Sequence, residues 1–293
     1  MPKVYLTGAD GLLGTAFAAA LGKDPLTAGW TVRGVARKDF DIADADAVRA
    51  SMDAFAPDIV VHTAAHAIVD DCEADPKLAL RVNIAGTSNV VEGCRRHGSR
   101  LVYISSDYVF DGRTTPPGGY REDDVPNPVS VYGLTKLAGE RLGALVPRHL
   151  NIRTSWLFGG ADDRVDLVLD TVRRIRRGER VPLIADQFSR PTYVTDLARA
   201  MVFLLTREEP VTGTIHIVNE GTASWYEVGR HLCSVLGTGP EPEPLSMDAC
   251  GFLGDRPANS ALATSRLDGL GFTMPSWQDA ARRFCEELEG ALT

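Results

Sequence analysis

Cysteine is scarce in this chain of 293 residues, and the five present (Cys72, Cys94, Cys233, Cys250, Cys285) are odd in number, scattered and never spaced C-x-x-C. Neither a disulfide framework nor a zinc knuckle organises such a sequence. No apolar run approaches the ~18 residues that a membrane span requires. The start, MPKVYLTGADGLLG, lacks the charged leader, apolar core and cleavage site of a secretion signal. The chain is therefore expected to be mature from its first residue, soluble and cytoplasmic. Positive charge is also in deficit: 31 Lys and Arg against 39 Asp and Glu leave a net charge of -8. This balance disfavours nucleic acid or an anionic membrane as partner, while leaving room for a local basic pocket that takes a small anion.

What is present is a rhythm. KVYL, TVRGVA, DIVVHT, RLVYIS and LNIRT read as strands, each followed by a segment with apolar residues three and four apart. Strand and helix in alternation predict an α/β fold, a doubly wound parallel sheet of Rossmann type covered on both faces. Helix starts are marked by Asp75-Pro76, an N-cap with proline at the first helical position, and by the capping box SWYE at 224–227. After about residue 155 the rhythm weakens. A basic helical segment at 165–178, a strand-like TIHIVN at 214–219 and a Pro-rich GTGPEPEP at 237–244, read as a loop, predict a smaller C-terminal α/β domain. The expected division is 1–155 for the dinucleotide-binding domain, joined by about 191–220, with 156–190 and 221–293 forming the substrate domain.

Directly after the first strand, TGADGLLG sets Gly8, Gly11 and Gly14 at G-x-x-G-x-x-G and opens a helix through Phe17 and Leu21. Glycines let the backbone approach a pyrophosphate, whose charge a helix N-terminus favours. Three glycines alone are weak evidence; the order strand, loop, helix makes them a dinucleotide site. The second strand ends VARKDFDI, with Arg37 and Lys38 where an acid would bind a ribose 2′-hydroxyl. Such a pair suits the 2′-phosphate of NADP, or is two solvated charges at a turn. Asp41 and Ile42 would meet the adenine, and Ala64 and Ala65 in HTAAH would let backbone pass close to the cofactor. His62 and His66 have the spacing of a zinc pair on a helix, but a strand-to-loop segment does not present both on one face. Packing, or a substrate contact by His66, is the expectation, and no metal is predicted.

The fourth strand ends YISSDYVFDG, and SVYGLTK follows some twenty-five residues later. A hydroxyl at a strand end, then Tyr132 and Lys136 one helical turn apart, is the set needed to protonate a carbonyl oxygen while hydride reaches its carbon. Tyr132 would be the acid, Lys136 would lower its pKa and hold the nicotinamide ribose, and Ser106 would hydrogen-bond the carbonyl. Y-x-x-x-K alone is a common helical pair. Following the glycine loop and SSD in order, it reads as a catalytic set.

These motifs resemble the extended short-chain dehydrogenase/reductases, and within them the dTDP-4-dehydrorhamnose reductase family. The likeness runs nearly end to end, through PDIVVHTAAHAIVDDCEADP, VNIAGTSNV, VYGLTKLAGE, RTSWLFG, DQFSRPTYVTDLA and RPANSALATSRLDGLGF, the last two lying in the substrate region. The resemblance implies reduction of the C4 ketone of a nucleotide-linked 4-keto-6-deoxy sugar by NADPH, with NADH as the other donor. Ser106, Tyr132 and Lys136 are then catalytic, and Leu12, Leu13 and Asn83 join the cofactor contacts. His66, Val69, Asp107, Tyr108 and Trp156 wall the sugar, while Arg190 and Arg256 are implied for the diphosphate or nucleotide, each with the alternative of an ordinary surface charge. A homodimer is compatible with it.

Two departures stand out. Where the family has Asn-Phe after WLFGG, this chain has ADDRVDLV at 161–168, and Thr15 and Ala16 occupy the region of an acidic residue that serves an inter-subunit magnesium site in some members. The basic run RRIRRGER at 173–180 reads as a solvated helix face before it reads as a diphosphate site. Two alternatives share the fold: a sugar-nucleotide epimerase, which keeps its NAD and returns the hydride, and a non-catalytic regulatory subunit of the kind that partners methionine adenosyltransferase. Net NADPH consumption separates the first; an intact Ser106, Tyr132 and Lys136 argues against the second.

Overall fold

The structure, a computed structural model, describes residues 1–162 and 166–290. Strands β1 (Lys3–Thr7), β2 (Thr31–Val35), β3 (Ile59–His62), β4 (Arg100–Ser106) and β5 (His149–Thr154) fall on the five runs read from the sequence. Beyond them come β6 (Leu157–Phe158), β7 (Pro182–Ile184), β8 (Thr192–Tyr193), β9 (Gly213–His216) and β10 (Glu243–Leu245). Six strands form one parallel sheet in the order β2-β1-β3-β4-β5-β9. The chain runs outward from β1 to β2 and returns across β1 to β3, so the carboxyl ends of β1 and β3 flank a switch point where open α/β sheets bind ligands.

Alternation along the strands builds two cores. Val4, Leu6, Val61, Val102, Ile104 and Ile152 face Phe17, Leu21, Leu197 and Met201 of the helices Leu12–Lys23 and Val194–Leu205. Tyr5, Val60, Leu101 and Tyr103 point the other way, onto Val48, Met52, Val90 and Cys94. A third core gathers Phe158, Leu169, Val172, Ile175, Leu183, Leu232, Trp277 and Phe284 beside the sheet. It is framed by the two-stranded pairs β6–β8 and β7–β10.

The marked helix starts are present. Asp75 accepts from Leu78 N, and Ser224 and Glu227 form the reciprocal capping box. The Pro-rich stretch expected to be loop is one only in part, because Glu243–Leu245 pairs with β7. Proline is tolerated there since the ladder draws its donors from Glu243 N and Ala185 N, leaving Pro244 nothing to donate. Along 167–176 the basic helix makes ion pairs, Arg174 with Asp170 and Glu179, and Arg176 with Glu289. Of the segment 161–168, residues 163–165 lie outside the described residues. Asp166, fully buried, closes the turn before it by accepting from Gly159 N and Gly160 N, and caps the helix through Leu169 N.

A buried ion pair joins the sheet to the helix Val131–Gly143. Glu140 accepts from Arg153 Nε at 2.8 Å and Nη2 at 2.9 Å, and from Ser105 Oγ at 2.6 Å. Breaking such a pair strands a charge in the interior. Arg153→Met is expected to cost ~3–5 kcal/mol in urea unfolding, and the double change with Glu140→Leu to recover most of it.

Candidate active site

A cavity of about 580 Å3 opens at the carboxyl edge of the sheet, between the glycine loop, the ends of β2 to β5 and the start of the helix Val131–Gly143. Gly8, Gly11, Leu12, Leu13 and Gly14 line it at one side. The helix beginning at Leu12 has neither a side-chain cap at Gly11 nor an acid in its first turn, so its bare N–H groups sit at the cavity wall. Gly14 cannot be replaced without moving the loop: a Cβ there would lie 2.1 Å from Gly8 O. Ala64 and Ala65 form the floor beside this loop.

At the end of β2, Arg37 lines the cavity, as do Asp41 and Ile42, whereas Lys38 does not. Asp39 folds back to accept from Ala36 N at 2.8 Å, and Asp41 is paired with Arg81 at 2.5 Å. Both nearby acids are thus occupied, and two guanidiniums, Arg37 and Arg81, border the pocket. This donor set, with the bare helix N-terminus and the glycine cradle, fits a phosphorylated dinucleotide. Sequence reading missed Arg81; nothing marks an arginine on a helix after β3 until the fold brings it across to Asp41.

The predicted hydroxyls meet at the other side. Ser106 ends β4 with Asp107 directly after it, and Ser130 caps the helix Val131–Gly143 through Gly133 N at 3.1 Å, setting Tyr132 and Lys136 toward the cavity. Gly133 is there because a Cβ would lie 2.2 Å from Tyr108 O. Ser106 and Tyr132 line the same side of the cavity, and the rings of Tyr108 and Tyr132 meet edge to face at 5.9 Å. Lys136, 4% exposed, lies with Nζ 4.7 Å from the centre of the Tyr103 ring. Burial governs both titrating groups of the ligand-free protein. It pushes the Tyr132 phenol well above its usual range, against the sequence expectation of a lowered one, and pulls Lys136 down to about 8 while Glu140 acts in the opposite sense.

His66, Val69, Tyr108 and Trp156 also line the cavity. Trp156 holds a positive φ of 43° and stacks on Trp225 at 4.1 Å. Three other predicted residues do not reach it. Asn83 is spent on a clamp, accepting from His66 N at 2.7 Å and donating to His66 O at 2.9 Å and to Thr135. Arg190 donates to Gly118 O, and Arg256 is held by Asp70 at 3.0 Å and stacked over Phe252. His62 is a packing residue, its ring between Thr7 and Thr87 at 2.7 and 3.0 Å, and burial pulls it down to about 3.

Residues 2–289 match the family described as the RmlD substrate binding domain. The chain belongs to this family. It is 34% identical to the spore coat polysaccharide biosynthesis protein SpsK of Bacillus subtilis, over 99% of each chain. To the dTDP-4-dehydrorhamnose reductase of Mycolicibacterium smegmatis it is also 34% identical, over 99% of this chain and 87% of the relative. The crystal structure of the dTDP-4-dehydrorhamnose reductase of Bacillus anthracis in complex with NADP superposes with a TM-score of 0.89 at 33% identity, covering 98% of this chain and 99% of that one.

The lowered pKa of Lys136 has a measurable consequence. Between about pH 8 and the ordinary lysine value the unfolded chain binds a proton that the folded one has released, so stability rises with pH across that window. Urea unfolding of the ligand-free protein should show this rise, and Lys136→Met should abolish it and be more stable than the parent at pH 7, by on the order of 3 kcal/mol.

Proposed function

We propose that the protein reduces the C4 ketone of a nucleotide-linked 4-dehydro-6-deoxy sugar with NADPH, as dTDP-4-dehydrorhamnose reductase converts dTDP-4-dehydrorhamnose to dTDP-rhamnose. The observation that carries the reading is one cavity bordered by the glycine cradle and the Arg37–Arg81 pair at one side and by Ser106, Tyr132 and Lys136 at the other. The named relatives and the NADP complex of the Bacillus anthracis enzyme support it. Residues 1–155, with about 191–220, are assigned to the dinucleotide, and 156–190 with 221–293 to the sugar nucleotide. We assign the protein to the cytoplasm, with which five free thiols and, among the described residues, no helix long and apolar enough to cross a membrane accord, and take a homodimer as compatible with the family resemblance.

NADPH, when bound, supplies hydride to the ketone carbon. Everything else is done by the chain. Tyr132 is held as a neutral phenol by burial, the form a general acid needs, and gives its proton to the developing C4 alkoxide. Lys136, below about pH 8 an ammonium with little water around it, stabilises the phenolate left behind. Trp156, Tyr108 and Val69 provide the apolar wall that orients the sugar ring and excludes water. Burial of Lys136 sets an upper limit to the working range: above about pH 8 the ammonium is lost in the ligand-free enzyme.

Incubation with NADPH and a panel of 4-keto-6-deoxy sugar nucleotides, followed at the nicotinamide absorbance, is the test. Tyr132→Phe is expected to lower kcat by ~100-fold or more with little change in KM. Full turnover in that variant, or turnover of the parent without net NADPH oxidation, would sink the reductase reading. Arg37→Ala should raise KM for NADPH by ~10-fold while leaving NADH nearly untouched, because only the former carries the 2′-phosphate.

A further inference from the structure

A left-handed backbone belongs mostly to glycine, and a bulky side chain held there needs a cause. Among the described residues, Ala56 and Trp156 are the two other than glycine with a positive φ. Ala56 closes the helix Ala45–Phe55, where such a residue is ordinary. Trp156 lies between β5 and β6 and lines the cavity.

Its backbone is pinned on both sides. Ser155 Oγ donates to Asp107 Oδ2 at 3.0 Å, and Thr192 N donates to Trp156 O at 3.1 Å. The resemblance implied that Asp107 touches the sugar, yet it is 1% exposed, and its carboxylate also accepts from Ser106, Ser189 and Ser260. A fixed backbone does not by itself fix an indole, which still turns about two bonds. That role falls to Trp225, whose ring lies over the Trp156 ring with centroids 4.1 Å apart and planes 9° from parallel.

Trp225 is not part of the cavity lining. It opens the helix Trp225–Leu236, whose start is locked by Ser224 N to Glu227 Oε2 at 2.8 Å and Glu227 N to Ser224 Oγ at 3.2 Å. Its ring also packs against the third core. The two partners are therefore unequal: Trp225 has rigid supports of its own, and Trp156 leans on Trp225. In the sequence SWYE marks only a helix start; the fold gives its tryptophan a second task.

We propose that Trp225 is a positioning residue for the substrate wall: its ring holds the Trp156 indole in one orientation, so that the surface meeting the sugar is formed before the substrate arrives. The identity of that substrate rests on the reductase reading. A preformed wall spares binding the cost of ordering a free indole. The helix Trp225–Leu236 thereby acts on the site without touching the ligand.

Fluorine NMR of ligand-free protein carrying 5-fluorotryptophan tests the geometry without substrate. The chain has four tryptophans, and single Trp→Phe changes assign their signals. Trp225→Leu is expected to move the Trp156 signal out of its partner's ring current and to broaden or split it. Trp156→Phe is expected to leave the Trp225 signal a single sharp line. A Trp156 signal that stays single and sharp in Trp225→Leu, or a Trp225 signal that disperses in Trp156→Phe, overturns the proposal, and the second measurement does not depend on Trp225→Leu folding. The kinetic arm rests on the reductase reading, and a parent that turns over no 4-keto sugar nucleotide counts against that reading alone. Trp225→Leu should raise KM for the sugar nucleotide by ~10-fold with KM for NADPH within ~2-fold, whereas Trp225→Phe, which keeps a stacking face, should lose no more than ~3-fold. In a Trp156→Ala background Trp225→Leu should cost under ~2-fold more. An equal loss in both backgrounds, or one shared by NADPH, means that Trp225 supports the fold at large and contradicts the proposal.

Discussion

A carboxylate leaves water only if donors replace the water, and the active edge of this fold is arranged around that constraint at Asp107. Its four serine donors come from the ends of β4 and β5 and from two distant segments. Satisfying one buried charge therefore adds a common anchor to four parts of the chain. Desolvation still pushes its pKa up, and the four hydrogen bonds act against that push. Ser106 and Tyr108 flank this anchor, and the Tyr108 ring meets that of Tyr132 edge to face.

Burial acts in the same way along the helix Val131–Gly143. Tyr132, Lys136 and Glu140 succeed each other one turn apart, the last two buried, ending at the bidentate Arg153. Glu140 is satisfied by that arginine and by Ser105 yet still favours the charged form of Lys136. A structural ion pair thus reaches the chemistry through an intervening lysine. The opposite side of the cavity is built mainly of backbone: the bare N–H groups of the helix at Leu12 and a close approach that only glycine permits, with Asp10 in the loop and Arg37 and Arg81 also on the lining.

Periodicity and glycine spacing made much of this legible in advance. All six strands of the main sheet have a counterpart in the sequence reading, and Gly8, Gly11, Gly14, Ser106, Tyr132 and Lys136 share one cavity as their order implied. Local signals failed where partners come from far away. Asn83 sits in a π-helical turn, Arg81–Ala85, that aims its amide at His66 instead of the cavity. Arg190 and Arg256 are engaged by Gly118 O and Asp70. Ser155, Ser189 and Ser260 carry no motif at all; only the folded chain shows that they converge. The acidity of Tyr132 was likewise misjudged from spacing, since spacing counts the neighbouring cation and is blind to the water removed.

The central claim is that hydride passes from the dinucleotide to C4 of a sugar nucleotide and stays there. Turnover with NADPH deuterated at the transferring position of the nicotinamide, followed by NMR of the sugar product, tests it most directly. The account predicts one deuterium at C4 for each NADPH consumed. Deuterium that remains with the cofactor, or a sugar whose C4 carries only protium after turnover, would contradict it.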